Sequence, residues 1–437
     1  MHLHDELVAP TRREFVAGLK RRPAPSVHAP APRQHLGDLP VVRAPFQQQP
    51  QQTRTRMDGI DLLRGAVMVV MALDHCRDFV AAGGADMNPR DVNDPALFLT
   101  RWVTHFCAPV FVLLAGVSAY LYGSRGGRST AEVARFLLTR GAWLILLELT
   151  VVRIGWTFSI RPDFIVLQVI WAIGASMIVL AGLIRLPRWA IVAFALTLIV
   201  GHNALDGVTA QQFGAAGWAW NVLHQPEIFQ LTPTISVLTL YPLIPWIGVM
   251  AAGYAIGPVM QLDESRRRRT LLALGGGATI GFVTLRLTNL YGDPAAWVVQ
   301  DNAFATILSM LNVEKYPPSL LYLMMTFGPA LIVLAYADSF RGGFARALIT
   351  FGRVPMAYYI AHLFLIHAVA IGVWWFTAGN VAWLFSGLPI DARPIDGGFE
   401  LHNVYATWVL VVAALYPLCK WFAGVKARRR EWWLSYL

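Results

Sequence analysis

Long apolar runs recur along the chain from Ile60 onward, and they limit its possible folds more than any other feature. Each run is about 17–25 residues long, the length that a helix needs to cross about 30 Å of hydrocarbon. Hydrophobic residues make up 56% of the chain and charged residues only 14%, so a soluble core could not hide this much apolar surface. The sequence therefore predicts an all-α, polytopic membrane bundle of about ten transmembrane helices.

The distribution of basic residues predicts how these helices are oriented. The predicted spans are 60–81, 99–123, 135–156, 164–184, 189–204, 236–260, 270–290, 318–337, 350–375 and 403–424. If the N-terminus lies inside, the cytoplasmic loops and tail hold Arg125, Arg128, Arg135, Arg140, Arg185, Arg188, Arg266 to Arg269, Arg341, Arg346, Lys426 and Arg428 to Arg430. The opposite loops hold only Arg90, Arg161, Lys315 and Arg393. By the positive-inside rule, both termini are predicted to be cytoplasmic.

Residues 1–57 form a separate polar segment that is rich in Pro, Gln, Arg and Ala, as in FQQQPQQTRTR. This composition predicts a disordered cytoplasmic arm. The segment lacks the apolar centre of a signal peptide, so we expect the first helix to be retained as an anchor. An over-extended start codon would give the same appearance. The predicted organisation is this arm, a transmembrane domain at 58–425 and a basic cytoplasmic tail at 426–437.

The net charge of +10 does not indicate a nucleic-acid partner, because the basic residues form short clusters between apolar runs. The cysteines, Cys76, Cys107 and Cys419, show neither paired spacing nor a zinc-like pattern. We therefore expect no disulfide framework, no metal site and no nucleic acid. Membrane lipid is the expected surrounding. The sequence leaves undecided whether the protein forms a homodimer, because no small-residue seam for helix pairing stands out.

The first predicted span, GIDLLRGAVMVVMALDHCRDF, carries Arg64 and His75. Their separation of 11 residues returns them to nearly the same helix face, roughly 16 Å apart along the axis. Ionisable groups inside a membrane span are expensive and are candidates for function. Arg binds phosphate through its planar fork of donors, and His is the usual general base near neutral pH. The pair suits a donor such as acetyl-CoA, held at the inner end by Arg64, with its thioester delivered to His75. A snorkelling Arg and an interfacial His are the structural alternative.

Other polar side chains are predicted near His75 on the outer side. Asp78 lies three residues after His75 and could orient its imidazole, as a carboxylate does in a triad. His105 begins the second span, and His362 shares a face of the ninth span with Tyr358. For each His alone, a buried ring that is satisfied by a carbonyl is the structural alternative. The predicted site consists of His75, Asp78, His105 and His362 as catalytic candidates and Arg64 as the binding residue for the acyl-CoA cofactor.

Sequence strings along most of the chain resemble a known acyltransferase family. DLLRGAVMVVMALDH is similar to the first-helix signature of membrane acyltransferases, an Arg-Gly followed by His. Other strings resemble bacterial relatives of the heparan-α-glucosaminide N-acetyltransferase catalytic domain; they are RWVTHFCAPVFVLLAG (101–116), LLELTVVRIGW (146–156), VIWAIGASM (169–177), YPLIPWIGVMAAGYAIG (241–257), KYPPSLLYLMMTFGPAL (315–331) and FGRVPMAYYIAHLFLIH (351–367). The resemblance covers about residues 57–425.

This resemblance implies a multi-pass enzyme of the bacterial inner membrane. It would transfer an acyl group, acetyl first of all, from cytoplasmic acyl-CoA to an amino or hydroxyl group of a sugar or glycolipid outside. By motif position, Arg64 and His75 correspond to the essential Arg and His of such enzymes. In the lysosomal enzyme the active His lies after the first helix, whereas residues 82–98 of this chain contain no His, so His75 is the first choice and His105 the reserve. A transporter with a His, Asp and Arg pathway, or a receptor without catalysis, is the alternative.

Overall fold

The computed structural model describes residues 58–82, 92–386, 393–394, 396–429, 431 and 434. The predicted arm at 1–57 and Arg90 lie outside the described residues, as do parts of the predicted tail. The described part is mostly helical, as predicted. Seven of its helices are long and apolar enough to cross a membrane, which supports a multi-pass membrane protein. The total of about ten spans and the cytoplasmic termini stay predictions.

Fifteen α-helices and three short strands make up the described part of the chain. The α-helices are α1 Asp58–Val80, α2 Pro95–Thr104, α3 Cys107–Arg125, α4 Thr130–Leu147, α5 Arg153–Thr157, α6 Val169–Leu183, α7 Arg188–Gly201, α8 Gly217–Leu223, α9 Leu243–Ile256, α10 Glu264–Thr288, α11 Ala303–Leu311, α12 Leu320–Tyr336, α13 Gly343–Arg353, α14 Pro355–Ala378 and α15 Leu401–Arg428. The strands are β1 Phe164–Leu167, β2 Ile228–Thr232 and β3 Ile235–Thr239. A π-helical turn, Glu148–Val152, joins α4 to α5.

Seven segments of the described chain have both the length and the hydropathy expected of a membrane span. The qualifying segments are Pro95–Arg125, Arg188–Leu205, Leu243–Gln261, Glu264–Thr288, Leu320–Ser339, Pro355–Ala378 and Leu401–Arg428. The apolar helix α6 is shorter, at 15 residues. Helix α1 is long enough, but it carries charged side chains near both ends. Its ionisable groups set α1 apart from an ordinary lipid-facing anchor.

A small sheet replaces part of two predicted helices. The predicted spans 164–184 and 236–260 each begin in a strand rather than in a helix, since β1 covers Phe164–Leu167 and β3 covers Ile235–Thr239. β1 pairs with β3 in parallel and β2 pairs with β3 in antiparallel. The sequences FIVL and ISVLT are rich in β-branched residues, which favour strands. Apolar runs alone cannot distinguish such a strand from a helix end.

The predicted ninth span, 350–375, is two helices rather than one. Helix α13 ends at Arg353 and α14 begins at Pro355, with Val354 between them at φ −131° and ψ 50°. Proline lacks an N–H and disfavours the helical conformation of the residue before it, so the helix breaks there. The second predicted span is likewise interrupted, between α2 and α3.

Helix α1 forms the centre of the bundle, packed against α3, α13, α14 and α15. Its backbone lies directly against that of α13, because both helices have a glycine at the crossing. A Cβ on Gly65 would lie 1.8 Å from the carbonyl oxygen of Leu348, and a Cβ on Gly352 would lie 1.8 Å from that of Asp61. Only glycine permits this approach. It places α13 beside Arg64.

The two ends of α1 make different connections, and we name them the Arg64 end and the His75 end. At the Arg64 end, Arg353 pairs with Asp58 at 3.0 Å. At the His75 end, the backbone N–H of Phe399 donates to the carbonyl of Val80 at 2.7 Å, while Ala82 donates back to Phe399 at 2.8 Å. The Arg64 end is therefore tied to the end of α13, and the His75 end to the segment that leads into α15.

Candidate active site

Two histidines from helices far apart in the sequence meet inside the bundle. His75 lies on α1 and His362 on α14, and Nδ1 of His75 is 2.6 Å from Nε2 of His362. Their rings are stacked, with centroids 4.9 Å apart and an interplanar angle of 17°. The exposed fractions are 9% for His75 and 0% for His362, so of the two only His75 keeps some accessible surface. The contact is therefore a buried hydrogen bond between two imidazoles.

The surroundings of His362 determine which nitrogen of each ring carries a proton. Nδ1 of His362 is 3.0 Å from the carbonyl oxygen of Tyr358, and a carbonyl can only accept. A neutral His362 must therefore donate through Nδ1 and accept at Nε2. The proton between the rings then belongs to Nδ1 of His75, which leaves the lone pair of His75 on Nε2. In this tautomer, Nε2 can accept a proton or attack a carbonyl carbon.

Aromatic side chains hold the two imidazoles from the sides. Trp156, on α5, meets His75 edge-on with ring centroids 4.9 Å apart. The ring centroid of Tyr359, on α14, lies 6.2 Å from that of His75 and 5.4 Å from that of His362. Helix α5 reaches this position through the π-helical turn Glu148–Val152, a type of helix distortion that is frequent at functional sites.

A cluster of buried charges lies beside His75, around the neighbouring residue Asp74. Oδ2 of Asp74 is 3.1 Å from Nη1 of Arg101 and 3.9 Å from Nζ of Lys315. Arg77 pairs with Asp74 at 3.2 Å and with Asp78 at 2.6 Å. The three cations are 5% exposed or less. Since three cations face two carboxylates at this position, the cluster favours a substrate group or an intermediate that carries negative charge.

The structure pairs Asp78 with Arg77 and not with the His75 ring. A triad carboxylate would accept from Nδ1 of His75, but that nitrogen lies 2.6 Å from His362. Oδ1 of Asp78 accepts from Arg77 instead. Bonds to a guanidinium are stronger than bonds to a neutral imidazole because both partners are charged. His362, and not Asp78 as the sequence predicts, therefore accepts the hydrogen bond that orients the His75 ring.

The remaining predicted histidine, His105, and a further histidine, His367, contact other residues. His105 is buried between α2 and α3, and neither of its ring nitrogens has a hydrogen-bond partner in the described part of the chain. Its ring packs against Tyr322, whose hydroxyl donates to the carbonyl of His105 at 2.8 Å. His367 is tied through Nδ1 to the carbonyl of Gly155 at 3.1 Å. Its Nε2 is buried without a hydrogen-bond partner in the described part of the chain.

Arg64 is held at the opposite end of α1 by three oxygen atoms. Nη1 donates to Oδ1 of Asp61 at 3.1 Å and to the carbonyl of Gly352 at 3.2 Å, and Nη2 donates to Oγ of Ser118 at 2.9 Å. Its side chain is 17% exposed. The guanidinium is therefore fixed among α1, α3 and α13 rather than extended along the bundle surface.

A cavity of about 430 Å³ adjoins Arg64 and is lined by both basic and apolar side chains. Its basic lining residues are Arg64, Arg140, Arg353 and Lys426. The remaining wall is mostly apolar and includes Met68, Met71, Ile170 and Met356. The volume lies within the range of small-molecule sites, roughly 300–1,000 Å³. A cavity lined by four basic and many apolar side chains fits a ligand with an anionic head and an apolar arm.

Tyr359 lines this cavity and also contacts both histidines. His75 itself does not line the cavity, so the ring of Tyr359 stands between the cavity and the candidate base. A thioester delivered from Arg64 to His75, as the sequence predicts, would therefore have to pass Tyr359.

Several site residues carry little signal in the sequence. Lys426 resembles a topology signal and Lys315 resembles an ordinary loop charge, so sequence reasoning missed both. Arg101 and Arg140 both fall inside predicted spans, 99–123 and 135–156, so the cost of a charge in a membrane was an available signal for each. Tyr359 carried no comparable signal, because aromatic residues are common in apolar helices.

Comparison with protein families gives one match. The family described as heparan-alpha-glucosaminide N-acetyltransferase, catalytic, matches residues 56–285, slightly more than half of the 437 residues. The matched region contains α1, with Arg64 and His75, and continues into α10. It ends before α14, which supplies His362. No curated protein sequence matches the chain significantly.

Proposed function

The chain belongs to the heparan-alpha-glucosaminide N-acetyltransferase catalytic family, and from this premise we propose a specific membrane acyl transfer. The donor is acyl-CoA from the cytoplasm, with acetyl as the first candidate for the acyl group. The acceptor is an amino or hydroxyl group of a sugar or glycolipid on the outer side of the bacterial inner membrane. The observation that carries the proposal is the cationic cavity that leads to Tyr359, directly beside the His75–His362 pair.

The cavity supports acyl-CoA as the donor. Coenzyme A combines several phosphate charges with a long, thin arm that ends in the thioester. Arg64, Arg140, Arg353 and Lys426 supply positive charge for the phosphates. Met68, Met71 and Ile170 supply an apolar wall for the arm. With its phosphates near Arg64, the thioester would point along α1 toward Tyr359 and His75.

The tautomer of His75 supports its role as general base. The acceptor N–H or O–H gives its proton to Nε2 of His75 while its nitrogen or oxygen bonds to the thioester carbon. The C–S bond then breaks, and the coenzyme A thiolate takes the proton from His75. Nδ1 of His75 keeps its hydrogen bond to His362 throughout, so the ring stays oriented. In this proposal the acceptor approaches His75 past the positive cluster around Asp74.

A second route uses the same residues with a covalent intermediate. Nε2 of His75 attacks the thioester carbon, an N–C bond forms and the coenzyme A thiolate leaves. The nitrogen or oxygen of the acceptor then attacks the acyl carbon, the bond from that carbon to Nε2 of His75 breaks, and the proton of the acceptor passes to the coenzyme A thiolate. The routes differ in one observable respect, because only the second forms labelled protein from labelled acetyl-CoA in the absence of acceptor.

The proposal is tested with purified protein in lipid nanodiscs and radiolabelled acetyl-CoA. We expect saturable acetyl-CoA binding, and label transfer to an amino sugar together with thiol release. In proteoliposomes, acceptor enclosed on one face and acetyl-CoA supplied on the other test the transmembrane arrangement. Protein that neither binds nor consumes acyl-CoA would contradict the proposal and favour the transporter alternative. The family match favours the enzyme, since its description names an acetyltransferase.

A further inference from the structure

A second group of polar side chains converges away from the His75–His362 pair, where α7 and α8 end. His202 and Asp206 follow α7, and His224 follows α8. One potential ligand atom from each lies within 4.8 Å of the others. Nε2 of His224 is 3.7 Å from Oδ1 of Asp206 and 3.0 Å from the carbonyl oxygen of His202. Because a carbonyl only accepts, a neutral His224 donates through Nε2 and keeps its lone pair on Nδ1, the nitrogen that would bind an ion. Two imidazoles and a carboxylate are the ligand types that zinc and similar divalent ions prefer.

The His202 ring is a buried polar group without a protein partner. It is 1% exposed, and neither Nδ1 nor Nε2 has a hydrogen-bond partner in the described part of the chain. Burying an imidazole in this way costs free energy unless something satisfies its nitrogens. Nothing in the proposed acyl transfer uses this ring. A bound cation would satisfy one nitrogen through its lone pair.

The carboxylate of Asp206 is held in place for such a role. Nδ2 of Asn203 donates to Oδ2 of Asp206 at 2.9 Å, while Oδ1 of Asn203 accepts from the N–H of Leu320 at 2.9 Å. Metal ligands are commonly oriented by second hydrogen-bonding partners of this kind. Asp206 is also the most accessible member of the group, with 26% of its side chain exposed, so an ion has a path of entry.

We propose that His202, Asp206 and His224 bind a divalent transition-metal ion of the zinc class, with water in the fourth position. Tetrahedral zinc with bonds of about 2.0–2.2 Å needs ligand atoms roughly 3.4 Å apart, so small side-chain movements complete the site. The ion would join the ends of α7 and α8. Through Asn203 it would also fix the start of α12, which follows the loop that carries Lys315 to Asp74. Its role is positional, and it does not depend on the proposed acyl transfer.

The test uses full-length protein purified without a polyhistidine tag and treated with a chelator. Cobalt(II) is then added, and its visible absorption is recorded. We expect one equivalent to bind with the intense bands of a tetrahedral N/O site, and zinc to abolish those bands. His202→Ala and Asp206→Asn should lose them. His402→Ala is the matched control, because its ring is 72% exposed and lies outside the group, and it should retain them.

Thermal unfolding of the same proteins gives an independent measurement. Zinc should raise the melting temperature of the wild type and of His402→Ala, but not of Asp206→Asn. Asp206→Asn is the conservative variant in which folding is most easily preserved. Absence of stoichiometric cobalt, or equal cobalt spectra in wild type and Asp206→Asn, would overturn the proposal. A wild type that transfers acyl groups yet binds no metal would refute this site alone and leave the proposed function intact.

Discussion

Nδ1 of His75 lies 2.6 Å from Nε2 of His362, although the two residues are 287 positions apart in the chain. The carbonyl of Tyr358 occupies Nδ1 of His362, so the direction of the hydrogen bond between the rings is fixed. The candidate base is thus oriented by a neutral ring, whereas in a catalytic triad a carboxylate has this role. Its activity should depend on the tautomer of both rings.

Replacement of His75 should remove catalysis and leave donor binding. We expect His75→Ala to lower kcat by about 10²–10⁴-fold, the usual contribution of a general base. Acetyl-CoA affinity, measured by titration calorimetry, should change little because His75 does not line the cavity. His402→Ala, on an exposed ring, is the control. Wild-type kcat in His75→Ala would remove this residue from the mechanism.

His362 should act as a positioning residue for His75. His362→Ala removes the acceptor for Nδ1–H, so kcat should fall by at least about 10-fold but by less than in His75→Ala. His362→Gln offers an amide oxygen to the same proton and should recover part of the rate. The pH profile of kcat should shift in His362→Ala and not only its amplitude. A uniform loss with an unchanged profile and no recovery in His362→Gln would indicate a purely structural role.

The basic residues of the cavity should determine affinity for the donor. Arg64→Ala loses charge-assisted hydrogen bonds, each worth about 1.5–3 kcal/mol, so the Kd for acetyl-CoA should rise about 10- to 100-fold. Arg140→Ala tests the same cavity without disturbing the bonds from Arg64 to Gly352 and Ser118. Arg185→Ala is the matched control, because Arg185 bonds the carbonyl of Ala181 and does not line the cavity. Equal affinities in all four proteins would contradict the assignment of this cavity.

Tyr359 should control the passage from the cavity to His75. Tyr359→Trp adds volume at this point, so kcat should fall while coenzyme A binding, measured by calorimetry, is retained. Tyr359→Phe keeps the ring and should have nearly wild-type kcat. If Tyr359→Trp is fully active, the thioester does not pass this side chain and must reach His75 by another path.

The close crossing of α1 and α13 should not tolerate added side-chain volume. Gly352→Ala would place Cβ 1.8 Å from the carbonyl oxygen of Asp61. We expect a loss of about 1–3 kcal/mol or more, visible as a lower melting temperature in detergent, because overpacking forces the backbones apart. Gly372→Ala is the control within α14, since nothing lies within 4 Å of its Cβ position and Ala favours helix. An unchanged melting temperature in Gly352→Ala would contradict the observed crossing.

Much of the membrane architecture could be read from local sequence properties. Apolar runs of spanning length predicted helices such as α12 and α15, because each helix satisfies its own backbone hydrogen bonds in lipid. The same reasoning failed at β1 and β3, where an apolar segment pairs with another strand. Strand pairing depends on a distant partner, and the periodicity of one short run does not reveal it. The break at Val354 had a local signal in Pro355, but the resulting change in helix direction depended on packing.

Helical geometry alone places Arg64 and His75 on nearly the same face of one helix, because they are 11 residues apart. The family was also readable from strings that run from α1 to α14, and the family model matches residues 56–285. Three relationships follow only from the packed helices: His362 orients His75, Arg77 pairs with Asp78, and Tyr359 lies between the cavity and the base. Each of these depends on which side chains compete for a partner at close range. That competition is settled by packing among helices, which no single segment encodes.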